Sequence, residues 1–208
     1  SDNCRVSDLS VSSDNLTFTY EAKSLPYPID TSYYDNEKHT QADALSVIPF
    51  MDEMNYEGLS VSGLSDGYYG LTIGGEFIGR FTARELERGI NMALLQNTPQ
   101  YKQAMKIRQM NEERWLKERK MREFYWVEYN LMRKTGMLWA CNEAAVDTLR
   151  KYRPHDIFLQ WNGALWLQYM HKGIREDCVN EQQDLVNQIY EQNKPIPLQI
   201  EIKKFTDL

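Results

Sequence analysis

Cysteine is scarce in this 208-residue chain: Cys4, Cys141 and Cys178, with no CxxC pair among them. An odd, widely spaced set excludes a disulfide framework and a CxxC metal or redox motif. One bridge plus one free thiol, and three thiols, both stay open. Histidine is equally sparse, with three residues. A basic excess is missing too: 24 Lys and Arg face 30 Asp and Glu, for a net charge of −6. That balance argues against nonspecific nucleic-acid binding, which needs a basic surface. It gives no reason for docking on an anionic membrane. No apolar run approaches the length of a membrane span, so membrane insertion is not expected. Internal repeats, low-complexity segments and a signal peptide are also absent. The opening Ser1-Asp2-Asn3-Cys4 reads as a chain entered in mid-sequence.

What is present is a globular composition. Hydrophobic residues make up 42% and aromatic residues 12%, rich in Tyr and Trp. The length allows one large domain or two small ones with a real core. Tyr and Trp either fill that core or form surfaces that stack on sugars or partners.

The best-specified stretch runs from Leu64 to Leu95. Tyr69, Leu71 and Ile73 alternate with Gly70 and Thr72, as in a half-buried strand. Gly74-Gly75 supplies the positive φ angles of a two-residue hairpin turn. Phe77, Ile78 and Phe81 carry the return strand. Thr82 and Glu85 then fit a capping box that opens a helix over about 83–94.

Upstream, 4–9 and 16–20 read as strands joined by the turn Ser12-Ser13-Asp14-Asn15. Residues 31–41 are polar and read as a loop, 50–58 are ambiguous, and 59–64 read as a further strand ended by Asp66-Gly67. Downstream the pattern is helical. Thr98 caps, and Pro99 starts, a very long helix to about Thr135, closed by Gly136. Glu113–Lys117 and Glu118–Arg122 form i,i+4 pairs on it. Its interleaved acids make it a solvated packing helix and not a nucleic-acid helix. Helical segments follow over 137–152, 156–170 and 181–193. The tail alternates Leu198, Ile200 and Ile202 with polar residues, which predicts a terminal strand returning to the β-rich part.

Short motifs in this order resemble the region that follows the catalytic domain in a group of bacterial SGNH/GDSL hydrolases. They are Asn3-Cys4-Arg5-Val6-Ser7-Asp8, Leu16-Thr17-Phe18, Leu25-Pro26-Tyr27-Pro28-Ile29-Asp30, Gly70-Leu71-Thr72-Ile73-Gly74-Gly75, Gly79-Arg80-Phe81-Thr82-Ala83, Gly89-Ile90-Asn91-Met92-Ala93, and Thr98-Pro99 with Gln103-Ala104. The resemblance covers roughly 3–126. It implies ester hydrolysis by a Ser nucleophile, a His base, an Asp and an oxyanion hole in a separate α/β domain. The Gly-Asp-Ser motif of that machinery occurs nowhere in this chain, and Ser65-Asp66-Gly67 has the wrong order. No catalytic residue carries over. The implied partner is a catalytic SGNH domain of the same gene product, and the implied location is secreted or periplasmic.

Other candidate groups have bland readings beside the sharp ones. His155-Asp156 reads as a base with its acid, or as adjacent loop residues that face apart. His171 reads as a packed or surface histidine before a metal ligand. His39, near Asp35, Glu37 and Asp43, matches no calcium-loop spacing. Glu53, Glu57 and Asp66 offer carboxylates for a glycosidase pair, which this many acids produce by chance. Cys141 and Cys178 lack the basic neighbours of a reactive thiol. Gly74-Gly75 joins two strands and so is no phosphate loop. Trp161, Trp166 and Tyr169, spaced by five and three, share part of a helix face: either core, or a groove for a sugar or a partner.

The expectation is an α+β chain. Residues 1–82 form an N-terminal antiparallel, sandwich-like β-structure with a C-terminal hairpin. Residues 83–208 form a helical region with one long helix. The leading function is a non-catalytic accessory region of an SGNH/GDSL-type esterase that packs on or shapes the substrate cleft, with carbohydrate esters as one substrate class. The alternative is a stand-alone glycan- or protein-binding module using exposed Trp and Tyr, with Trp161, Trp166 and Tyr169 as its binding residues. No cofactor, metal site or nucleic-acid partner is expected. A third reading relocates catalytic groups to His155 or His171.

Overall fold

The computed structural model describes residues 2–30 and 40–205. Two compact units result: Ser1–Arg108 with Gln192–Leu208, and Gln109–Glu191.

The first unit is built on strands β1 (Cys4–Val11), β2 (Asn15–Ala22), β4 (Tyr68–Ile73), β5 (Glu76–Thr82) and β7 (Leu198–Lys204). They form one antiparallel sheet in the order β1-β2-β7-β4-β5. The last strand in the chain therefore lies in the middle of the sheet. Its alternation explains why. Leu198, Ile200 and Ile202 are buried, while Glu201 takes a hydrogen bond from Asn15 Nδ2 at 3.2 Å on the other face. A strand with one apolar and one polar face fixes its own register. Ile200 sits opposite both Phe18 and Ile73.

The expected Gly74-Gly75 hairpin forms, with φ of 59° and 84° at the two glycines. Thr82 caps α3 (Ala83–Arg88) through a complete capping box with Glu85. That helix is shorter than expected. Gly89 ends it at φ 91°, and the chain then enters β6 (Ile90–Asn91) and a 3-10 turn, Met92–Leu94. β6 pairs with β3 (Gly58–Leu59), so the strand expected over 59–64 is only its first residue plus Gly58. The short helices α1 (Gln41–Ala44) and α2 (Phe50–Glu53) precede β3. This second ladder has two residues a side, so the sandwich-like expectation reduces to one large sheet with a short ribbon. Leu59, Leu86 and Met92 share the core of that sheet with Phe18, Tyr69, Leu71, Ile73, Ile200 and Ile202.

Helix α4 (Pro99–Val127) begins as expected, with the Thr98 hydroxyl accepting the Tyr101 N–H at 3.3 Å. It gives way to a π-helical turn, Glu128–Met132, and the chain turns at Gly136 with φ 77°. The Glu113–Lys117 pair forms at 3.7 Å. Glu118 pairs with Arg114, one turn back, and not with Arg122. Helices α5 (Glu143–Tyr152), α6 (Ile157–Tyr169) and α7 (Lys172–Gln192) follow. The core of the second unit gathers Phe124, Val127, Met132, Leu149, Leu159, Trp166 and Tyr169.

Candidate functional site

In the first unit, a hollow of about 260 Å³ is lined by Cys4, Tyr20, Tyr27, Asn55 and Glu57, among others. Glu57 is the acid of that lining whose carboxyl the surroundings shift. The strand start at β3 places it: the Glu57 N–H donates to Asn91 Oδ1 at 2.9 Å, and its carbonyl accepts the Met92 N–H. Tyr20 donates its hydroxyl to Glu57 Oε1 at 2.9 Å, and Gln100 Nε2 lies 3.4 Å from both carboxylate oxygens. Burial pushes the Glu57 carboxyl above its usual range, against the pull of those two donors. Burial and the Glu57 charge push the Tyr20 phenol up as well. Gln100 Oε1 is buried without a hydrogen-bond partner. Neither Glu53 nor Asp66 lines this hollow, so Glu53, Glu57 and Asp66 are not brought together in it as a glycosidase pair. Asn55 completes the wall by exchanging two hydrogen bonds with the Tyr27 backbone.

Beside it lies a shallow apolar groove of about 390 Å³, lined by Tyr27, Ile29, Ala44, Leu45, Ile48 and Phe50, with Gln41. Val47 and Met54 nearby in sequence are 82% and 77% exposed.

The same unit brings together three groups that no sequence spacing suggests. Lys204 Nζ donates to Ser65 Oγ at 2.6 Å, and Tyr69 Oη lies 3.1 Å from that oxygen. A serine–lysine contact is the outline of a nucleophile and base. Here the lysine is the donor to the serine oxygen, and Tyr69 donates to the Ser65 carbonyl at 3.0 Å, which closes a local turn.

In the second unit, His155 lines a hollow of about 460 Å³ with Lys134, Thr135, Tyr152 and Asp156. No serine lines it. Asp156 is turned away to cap α6: its Oδ1 accepts the Phe158 and Leu159 N–H groups at 2.8 and 3.2 Å. The base-and-acid reading of His155-Asp156 is thereby lost to helix capping. His171 Nδ1 lies 3.3 Å from Cys141 Sγ, a pairing across 30 residues that the sequence does not signal. The three cysteines are free thiols. Among the described residues, no three His, Cys, Asp or Glu side chains group to hold a metal ion. His39 lies outside the described residues.

Trp161, Trp166 and Tyr169 are not brought to one surface. Trp166 is fully buried, and its indole N–H donates to Glu128 Oε1 at 2.8 Å. Tyr169 is buried too, and its phenol is pushed up to about 12, first by burial and then by Cys178. Trp161 alone is exposed, at 66%, edge-on to Phe158. Glu128 was not among the sequence candidates. It is 1% exposed and also accepts the Trp139 N–H at 2.8 Å.

A second groove, of about 340 Å³, is lined by Trp115, Arg119, Arg122, Glu123 and Trp126 of α4 and by Asn162 of α6. Arg119 pairs with Glu123 at 2.7 Å, and Arg122 lies 5.8 Å from the centre of the Trp115 ring. Among the described residues, no helix is long and apolar enough to cross a membrane.

Residues 105–194 match the family model of the diltiazem deacetylase C-terminal helical domain. A solved structure of a gut microbial diltiazem-metabolizing enzyme aligns with 98% of this chain at 36% identity and a TM-score of 0.89. The chain spans 46% of that enzyme's chain. Curated proteins give no match.

Proposed function

We propose that this chain is a non-catalytic accessory region of an SGNH/GDSL-type ester hydrolase, packing on a catalytic domain of the same gene product. The observation that carries this reading is the match of residues 105–194 to a C-terminal helical domain of a deacetylase family. The alignment adds to it, since nearly all of this chain corresponds to under half of an enzyme. The side chains support the same reading. Among the described residues neither histidine hydrogen-bonds a serine, Asp156 is engaged as a cap, and Ser65 sits in a turn closed by Tyr69, its hydroxyl accepting from Lys204. Transfer of an acyl group needs an activated nucleophile and a donor pair for the oxyanion.

The role left to such a region is contact and shape. The apolar groove at Tyr27, Ile29, Leu45, Ile48 and Phe50 suits that role, because exposed apolar surface of this kind marks a binding face. Shaping the substrate cleft, action on carbohydrate esters and a secreted or periplasmic location belong to the same proposal. Reading the open reading frame upstream of Ser1 tests it. A Gly-Asp-Ser motif followed by Asp-x-x-His is the expected result. A frame without a hydrolase domain would overturn the proposal.

A further inference from the structure

The second unit holds a surface groove for which the accessory role gives no use. Trp115, Arg119, Arg122 and Trp126 recur at spacings of four, three and four on α4, so they form one stripe along the helix. Eleven residues of α-helix place the two indoles about 16 Å apart along the axis. Asn162 of α6 flanks the stripe, and Phe158 lies against Trp126 with ring centres 5.3 Å apart. Trp115 is exposed, and Trp126 is half-buried against the core of this unit.

The polar groups are placed for a ligand. Among the described residues, the Asn162 side chain makes no hydrogen bond and Arg122 makes no ion pair, though both line the groove. Arg122 rests against the Trp115 ring, a contact that orients a guanidinium without neutralising it. Arg119 and Glu123, held together, offer planar donors and acceptors side by side. Indole faces pack on the apolar face of a pyranose, and forked guanidinium and amide groups bind neighbouring hydroxyls or a carboxylate. A monosaccharide reaches one indole, while two indoles this far apart suit a short chain.

We propose that this groove binds an acidic oligosaccharide lying along α4, with Trp115 and Trp126 as stacking platforms and Arg122 reading a carboxylate. The proposal rests on α4 and α6 alone and stands apart from the accessory role.

Titration calorimetry of this chain with pentagalacturonic acid, with maltopentaose as the neutral control, tests it. The acidic pentasaccharide binds more tightly than maltopentaose, and added salt narrows the gap. Trp115→Ala weakens binding of the acidic ligand about tenfold, roughly 1.4 kcal/mol. Arg122→Gln removes the preference for the acidic ligand. Tyr190→Ala, on exposed Tyr190 outside the groove, leaves binding unchanged. Circular dichroism confirms that each variant is folded. Absence of binding heat with both sugars would overturn the proposal. So would binding that a folded Trp115→Ala leaves intact, or equal affinity for the two sugars that Arg122→Gln does not alter. Self-association of the chain abolished by Trp115→Ala, with no sugar binding, would assign the groove to a protein contact instead.

Discussion

The Glu128 carboxylate accepts the indole N–H of Trp166 at 2.8 Å while its second oxygen accepts the backbone N–H of Trp139, also at 2.8 Å. A buried acid is thus held by two donors, one from α6 and one from the loop before α5. Trp139 needs that anchor. Its φ is 61°, a conformation that a bulky side chain seldom adopts.

Glu128→Ala leaves the buried Trp166 indole N–H and the part-buried Trp139 backbone N–H without acceptors. Each costs roughly 1–3 kcal/mol, so the variant is expected to lose about 3 kcal/mol. Urea unfolding followed by tryptophan fluorescence measures the loss. A midpoint within error of the parent would show that the carboxylate is not anchoring the loop.

Glu57 predicts a falling stability curve. Burial raises its folded-state pKa above the usual value of 4.5, so the folded chain holds the proton more tightly than the unfolded one. Its favourable contribution is full below that usual value and is lost as pH rises through the folded pKa. Glu57→Gln removes the titration. The Tm of the parent minus that of Glu57→Gln is expected to decline as pH rises from 4 to 8, and parallel curves would count against the assignment.

Glu85 has the opposite sign. The Thr82 N–H, then the Thr82 hydroxyl, hold its carboxyl below the usual 4.5. That contribution is present above the usual value and is lost as pH falls through the lowered pKa. Thr82→Ala removes the cap and is expected to cost about 1 kcal/mol. Thermal unfolding at pH 7 measures it. A cost that persists unchanged in the Glu85→Ala background would contradict the reciprocal cap.

Local chemistry explains which parts of this fold are legible in its sequence. Gly74-Gly75, the Thr82–Glu85 box, the Thr98-Pro99 start and the alternation of β7 are all written in short spans, and each forms as read. The helix expected over 83–94 fails at Gly89, where positive φ breaks the pattern. The residues after it leave the helix to pair with β3, a long-range event that periodicity cannot register. Composition changes near residue 82, whereas compactness divides the chain near residues 108 and 192. A long helix that belongs to both units hides that division. The site was less legible. Spacing on one helix suggests that Trp161, Trp166 and Tyr169 act together, but the Glu128 acceptor lies 38 residues from Trp166 and draws its indole inward. The α4 stripe did not stand out in the sequence, because its role as a groove depends on α6 packing beside it.

The central claim is that this polypeptide contributes surface and shape while ester cleavage resides elsewhere. The direct measurement is p-nitrophenyl acetate turnover by the purified chain, with Ser65→Ala and Lys204→Met variants alongside. The account predicts a rate equal to buffer in all three. Turnover above buffer that Ser65→Ala abolishes would contradict it.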